Sequence, residues 1–105
     1  MESITPVELK QELDGGKSYV LLDVREREEL EICRIEGSLH IPMGEIPARL
    51  DELDPDSPIV CICHHGLRSA SVAGFLVSRD FESVFNLTGG VERWASDVDP
   101  SMARY

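Results

Sequence analysis

The stretch Pro58-Ile59-Val60-Cys61-Ile62-Cys63-His64-His65-Gly66-Leu67-Arg68-Ser69 constrains the fold more than any other part of the chain. Its apolar, largely β-branched start reads as a strand buried on both faces, a pattern of parallel sheets sandwiched between helices. Gly66 then allows a tight turn, and the small and apolar residues from Ala70 to Val77 read as a helix packed close to the sheet. A strand that runs through a tight loop into a helix delivers Cys63 to the carboxyl edge of a sheet, where open α/β proteins place their ligands.

The rest of the chain repeats this alternation. Thr5-Pro6-Val7-Glu8 is a helix start, with Thr5 as cap, Pro6 in the first turn and Glu8 reaching back, and the helix ends near Gly15-Gly16. A strand over Tyr19 to Val24 follows, then a short acidic helix over Glu26 to Glu31, a strand at Leu39 to Ile41 and a helix from Ile46 to Glu52. After the turn at Asp54-Pro55-Asp56-Ser57-Pro58 come the Cys63 strand, a helix from Arg68 to Arg79, a strand at Val84 to Leu87 and a last helix from Val91 to Asp97; Ser3-Ile4 adds a short edge strand. The expected class is α/β, a central parallel sheet of about five strands with helices on both faces. Mid-helix Gly74 is expected to touch the backbone of a neighbouring element, since glycine there costs about 1 kcal/mol relative to alanine.

With 105 residues, 42% of them hydrophobic, and no repeat or linker, residues 1–105 are expected to form a single domain with one core. No apolar run approaches the roughly 20 residues that cross a bilayer. No basic and apolar leader precedes the first folded-looking residues, and the cysteine count of three is odd, which suits reduced thiols and a cytoplasmic setting. A net charge of −10 argues against nucleic acid and anionic membrane as partners. Between Ser57 and Arg79, however, there is no Asp or Glu, whereas Arg68, Arg79 and two histidines fall there, so the neighbourhood of Cys63 is expected to be locally cationic.

Two readings of Cys63 compete. A free cysteine packs as a small hydrophobe and is often inert. Here the loop amides from His64 to Ser69 and the positive end of the following helix are placed to converge on the sulfur and favour its thiolate. The distance to Arg68 then separates two chemistries. Cysteine phosphatases carry one more residue between cysteine and arginine, whereas here four residues separate Cys63 from Arg68, a smaller cup suited to a sulfur atom held on the thiolate.

At this point the chain resembles the rhodanese-like family of single-domain sulfurtransferases. Val20-Leu21-Leu22-Asp23-Val24-Arg25-Glu26 is similar to the family's second strand and Asp-x-Arg signature, and Gly37-Ser38-Leu39-His40-Ile41-Pro42 to its Gly-Ala-x-x-Ile-Pro stretch, with Ser38 in place of Ala. Asn86-Leu87-Thr88-Gly89-Gly90-Val91-Glu92-Arg93-Trp94 is similar to its Leu-x-Gly-Gly-x-x-x-Trp closing motif. The resemblance implies that Cys63 takes sulfane sulfur from a donor as a persulfide and yields it to an acceptor. It implies a thiosulfate sulfurtransferase-like transferase moving sulfur from thiosulfate or a protein persulfide to a thiol, cyanide or carrier protein, with no cofactor. The tail from Asp97 to Tyr105 is similar to that of rhodanese domains fused to adenylyltransferases that activate sulfur-carrier proteins for molybdenum cofactor or thiamine synthesis, which implies a sulfur relay with a carrier or adenylyltransferase partner; simple packing of the tail on the last helix is the alternative.

The remaining candidates each have two readings. Arg68 is a surface cation or a contact for the substrate anion or persulfide. Ser69 caps the helix, donates to the loop, or both. His64 and His65 line the loop wall or transfer protons, and Gly66 and Leu67 complete the loop. Asp23 and Arg25 lie near the site or form an ion pair that fixes loops, the second being favoured. Cys61 shares the side of the sheet with Cys63 and is expected to be inert, and Cys33 lies in a segment between helix and strand, with a resolving-thiol role the less favoured reading. A metal reading of Cys61-x-Cys63-His64-His65 fails on spacing, because contiguous ligands rarely close a tetrahedron and no distant second pair exists. A non-catalytic persulfide carrier or regulatory module, and a small cysteine phosphatase or arsenate reductase, are the rival functions.

Overall fold

The computed structural model describes residues 1–105. Five strands form one parallel sheet in the order β1-β5-β4-β2-β3: β1 Glu2–Ile4, β2 Val20–Asp23, β3 Leu39–His40, β4 Ile59–Ile62 and β5 Val84–Leu87. Four α-helices accompany them, the first three as connections and the last after β5: α1 Pro6–Asp14, α2 Arg27–Ile32, α3 Leu67–Ser78 and α4 Gly90–Asp97. The expected α/β class, parallel sheet and edge strand are therefore present, with boundaries within a residue or two of those read from the sequence.

The strand at the centre explains the layering. β4 lies between β5 and β2 and every residue in it is buried. Because side chains alternate along a strand, Ile59, Cys61 and Cys63 join Leu22, Val72, Ala73 and Leu76 in a core under α3, while Val60 and Ile62 join Leu9, Leu21, Val91 and Trp94 in a core under α1 and α4. Each fully buried Ile, Leu or Val contributes about 1.5–3 kcal/mol on burial, so β4 anchors both layers at once. The frame that presents Cys63 is the most buried strand in the sheet.

The caps follow the sequence. The Thr5 hydroxyl accepts from the Glu8 N–H at 3.2 Å and the Glu8 carboxylate accepts from the Thr5 N–H at 2.9 Å, closing a capping box on α1. Two expectations fail. Pro47–Glu52 forms 3₁₀ turns, with Arg49 at φ −114°, ψ 19°, and no α-helix. The few residues between Pro47 and the turn at Asp54 are too short for a propagating α-helix, so tighter i→i+3 bonds form, Arg49 N–H to Ile46 O and Leu53 N–H to Leu50 O. Gly74 touches nothing: the buried stripe of α3 is Ser69, Val72, Ala73 and Leu76, and Gly74 lies off it, with open space where a Cβ would stand.

Candidate active site

Cys63 sits immediately after β4, and its sulfur is the focus of the loop that follows. The Gly66 N–H donates to Sγ at 3.1 Å and the Ser69 N–H at 3.3 Å, while the Ser69 hydroxyl lies 3.2 Å away. Ser69 stands in the first turn of α3, a helix of 12 residues whose positive end therefore faces the sulfur. The convergence expected of the loop amides is present, though carried by fewer of them than the whole run from His64 to Ser69. Burial opposes ionisation of this thiol, since Cys63 is only 1% exposed, but the hydrogen bonds from the Ser69 hydroxyl and the Ser69, Gly66 and His65 N–H groups outweigh it and hold the thiol below its ordinary value. Cys61, one turn of the pleat earlier, has no such donors; burial and the neighbouring Cys63 push its thiol up to about 12. The two cysteines share one core, and only Cys63 receives hydrogen bonds that favour its thiolate.

Three features outside the loop hold it in shape. Gly66 adopts φ 100°, a left-handed conformation that turns the chain into α3. The Asn86 side chain on β5 donates to the Gly66 carbonyl at 3.0 Å and accepts the Ser69 hydroxyl proton at 2.5 Å. Ser69 has one proton, so while Asn86 takes it the Cys63 S–H donates to Ser69; once the thiol ionises, the hydroxyl is free to turn to the sulfur. Finally, the first N–H groups of α4 grip the loop from behind, Val91 N–H to Cys63 O at 2.9 Å and Glu92 N–H to His64 O at 3.1 Å. Gly90 makes this approach possible: a Cβ there would overlap the carbonyl oxygens of Cys63 and His64. Gly90 of the closing motif thus lets α4 pack against the Cys63 loop.

The mouth of the loop differs most from the sequence reading. Arg68 forms a two-pronged ion pair with Glu29 of α2, at 2.7 and 2.8 Å. The Arg68 fork, with further hydrogen bonds from the Glu26 N–H and the Tyr105 hydroxyl, holds the Glu29 carboxyl down to about 2 against the opposing effect of burial. Asp23 and Arg25 are completely buried and paired at 2.8 Å, as the structural reading expected. Arg25 also donates to the Cys33 carbonyl and to the Tyr105 hydroxyl, both at 2.8 Å, so it ties α2 and the tail to β2 without touching the loop. The Tyr105 ring stacks on His64 at 3.8 Å, and His64 stacks on exposed His65 at 3.9 Å. His64 Nε2 is 3.6 Å from Glu92, too long for a hydrogen bond; burial and His65 keep the ring below its ordinary value, so it is neutral near pH 7. Leu67 is 81% exposed beside this assembly.

The expectation of a locally cationic site is overturned. Carboxylates absent from residues 57–79 arrive from other elements: Glu29 on Arg68, Asp23 on Arg25, and Glu92, which pairs with Arg104 beside His64. Sequence reasoning did not single out Glu29, and it met Asn86, Gly90 and Tyr105 only as members of the closing motif and the tail, with no role at the loop. The available signals were a polar side chain in the apolar strand Val84–Leu87 and a carboxylate a turn after the Asp-x-Arg signature. No group of three or more His, Cys, Asp and Glu side chains is arranged to hold a metal ion. A surface hollow of about 500 Å³ involves Lys10, Leu13, Trp94 and Met102 between α1, α4 and the tail, and none of the loop residues.

The family model "Rhodanese-like domain" matches residues 5–97. The chain belongs to the rhodanese-like domain family. Among curated relatives it is 35% identical over 100 residues to "Putative sulfurtransferase YtwF" of Bacillus subtilis, covering 95% of this chain and 96% of that one. It is 39% identical over 90 residues to "Putative sulfur carrier protein YrkF" of the same organism, 86% of this chain, and 35% identical over 105 residues to "Probable adenylyltransferase/sulfurtransferase MoeZ" of Mycobacterium tuberculosis, 98% of this chain. The chain spans about half of YrkF, 49%, and 27% of MoeZ. The crystal structure of a rhodanese-like domain protein from Staphylococcus aureus superposes with a TM-score of 0.86 at 31% identity, over 100% of this chain and 99% of that one. The five-stranded parallel sheet of the rhodanese-like fold and the tail resemblance to adenylyltransferase-fused domains both agree with these relatives.

Proposed function

We propose that this protein is a rhodanese-type sulfurtransferase, a single domain over residues 1–105, in which Cys63 carries sulfane sulfur as a persulfide. The observation that carries the reading is the pair of N–H groups, Gly66 and Ser69, aimed at Cys63 Sγ at the N-terminus of α3. These donors favour the thiolate that attacks and stabilise the charge of the persulfide that results. With thiosulfate, the Cys63 thiolate attacks the outer sulfur, the donor's S–S bond breaks and sulfite leaves with the electron pair. With a persulfide donor, the leaving group is a thiolate. A thiol, cyanide or a sulfur-carrier protein then attacks the outer sulfur of the Cys63 persulfide and restores the thiolate. Relatives named as a sulfurtransferase and a sulfur carrier support a relay role and a carrier or adenylyltransferase partner. Three free cysteines suit a reducing, cytoplasmic setting, and no helix is long and apolar enough to cross a membrane.

The 1% exposure of Cys63 favours a second reading, a persulfide carrier with slow turnover toward small donors. Mass spectrometry after incubation with thiosulfate or an alkyl persulfide tests both. Gain of one sulfur atom, lost in Cys63→Ser, supports the persulfide chemistry; steady-state turnover with cyanide or dithiothreitol separates the enzyme from the carrier. Absence of sulfur on Cys63 with every donor refutes the proposal.

A further inference from the structure

Arg68, the arginine of the Cys63 loop, already has a carboxylate partner, as do the arginines around it. The Arg68 fork is filled by Glu29 at 2.7 and 2.8 Å, completely buried Arg25 is paired with Asp23, and Arg104 is paired with Glu92. Glu29 is itself fixed from three sides. Its oxygens accept from the Arg68 guanidinium, from the Glu26 N–H at 2.9 Å and from the Tyr105 hydroxyl at 2.8 Å. An anion that displaces Glu29 from Arg68 therefore does not send the carboxylate into solvent, because the α2 capping bond and Tyr105 still hold it beside the loop. The incoming charge meets a fixed negative charge where the sequence alone promised a free arginine, on a chain that carries −10 overall.

Building on the sulfurtransferase reading, we infer that Glu29 is a specificity-determining residue that turns the Cys63 site away from the thiosulfate dianion and toward persulfide donors of low charge. In the favoured step the Cys63 thiolate attacks the outer sulfur of R–S–SH, the donor S–S bond breaks, and R–S⁻ departs with the electron pair, leaving Cys63–S–SH. No sulfonate oxygens need an arginine in that step. With thiosulfate the three departing oxygens are best met by the Arg68 fork, which Glu29 occupies. Tyr105, stacked on His64 and bonded to Glu29, braces the same arrangement from the tail.

The experiment compares single-turnover loading of Cys63, followed by mass spectrometry, from thiosulfate and from 2-hydroxyethyl persulfide, in the full chain and in Glu29→Gln. Glutamine keeps the shape and an acceptor for Arg68 but removes the charge. The ratio of thiosulfate to persulfide loading rates is expected to rise roughly tenfold in Glu29→Gln, the factor that corresponds to about 1.4 kcal/mol. In the wild-type chain, which needs no variant to fold, added salt is expected to speed loading from thiosulfate by screening the repulsion, and this salt effect is expected to shrink in Glu29→Gln. A ratio that changes less than about twofold overturns the assignment to Glu29 even where salt accelerates wild-type loading, because the repulsion then comes from the charge of the whole chain. Slowing by salt in the wild-type chain overturns it as well. If neither donor places sulfur on Cys63, the sulfurtransferase reading itself fails and this inference falls with it; loading from both donors with an unchanged ratio sinks this inference alone.

Discussion

Replacing Gly90 by alanine tests whether the nucleophile loop is held by the start of α4. The residue adopts φ 60°, a region that costs an L-residue about 1–2 kcal/mol. The new methyl would overlap the carbonyl oxygens of Cys63 and His64 and stand 2.6 Å from the His64 carbonyl carbon, all backbone atoms that no side-chain rotation can clear. Overpacking of this kind costs about 1–3 kcal/mol. Relief requires the loop to move off α4, which stretches the bonds from Val91 N–H to Cys63 O and from Glu92 N–H to His64 O, each worth about 1 kcal/mol. The sum is about 4–7 kcal/mol, a large part of the 5–15 kcal/mol typical of a domain. Gly37→Ala isolates the conformational part, since Gly37 has φ 85° and a methyl added there would meet nothing within 4 Å. Urea unfolding of both variants is the assay, and Gly90→Ala is expected to lose at least about 2 kcal/mol more than Gly37→Ala. Equal losses would mean that the loop and α4 are not in rigid contact, and that Gly90 does not serve to pack the loop.

The other expectations are smaller in scope. Gly74→Ala is expected to stabilise the chain by about 0.5–1 kcal/mol, because Gly74 stands on the open face of α3; any loss in thermal unfolding would place it in a contact. The rate of iodoacetamide alkylation of Cys63 follows its thiolate fraction, so the midpoint of the rate against pH is expected below that of an ordinary cysteine, and Ser69→Ala, which removes the strongest of the favourable donors, is expected to move it upward; a midpoint that stays in place refutes the role of the hydroxyl. Asp23→Asn leaves the Arg25 guanidinium buried without its counter-charge and is expected to destabilise by about 3–5 kcal/mol in urea unfolding, whereas a loss below about 1 kcal/mol would show that Cys33 O and Tyr105 suffice for Arg25.

What is legible in the chain before folding has a physical pattern. The strand Ile59–Ile62, the Thr5 cap and the turn at Gly66 are local, and composition over a few residues decides them. The hydrogen-bonded setting of Cys63 is legible for the same reason, since its donors come from residues three and six further along. The 3₁₀ turns at Pro47–Glu52 are not, because an apolar pattern of six residues fits either helix and only length and the flanking prolines decide.

The electrostatics of the mouth are illegible for a deeper reason. A gap in acidic residues along the sequence says nothing about what folds onto it. Glu29 reaches Arg68 across 39 residues and Tyr105 reaches Glu29 across 76, so the sign of the field at the sulfur is a tertiary property. The loop and its charge environment can therefore vary separately. The amide donors around Cys63 are written into a short strand–loop–helix unit, while Glu29 and Tyr105, which set the charge at its mouth, sit on α2 and the tail. On the proposed reading, altering the one carboxylate at Glu29 would change the charge met by a donor while leaving the Gly66 and Ser69 donors to Cys63 in place.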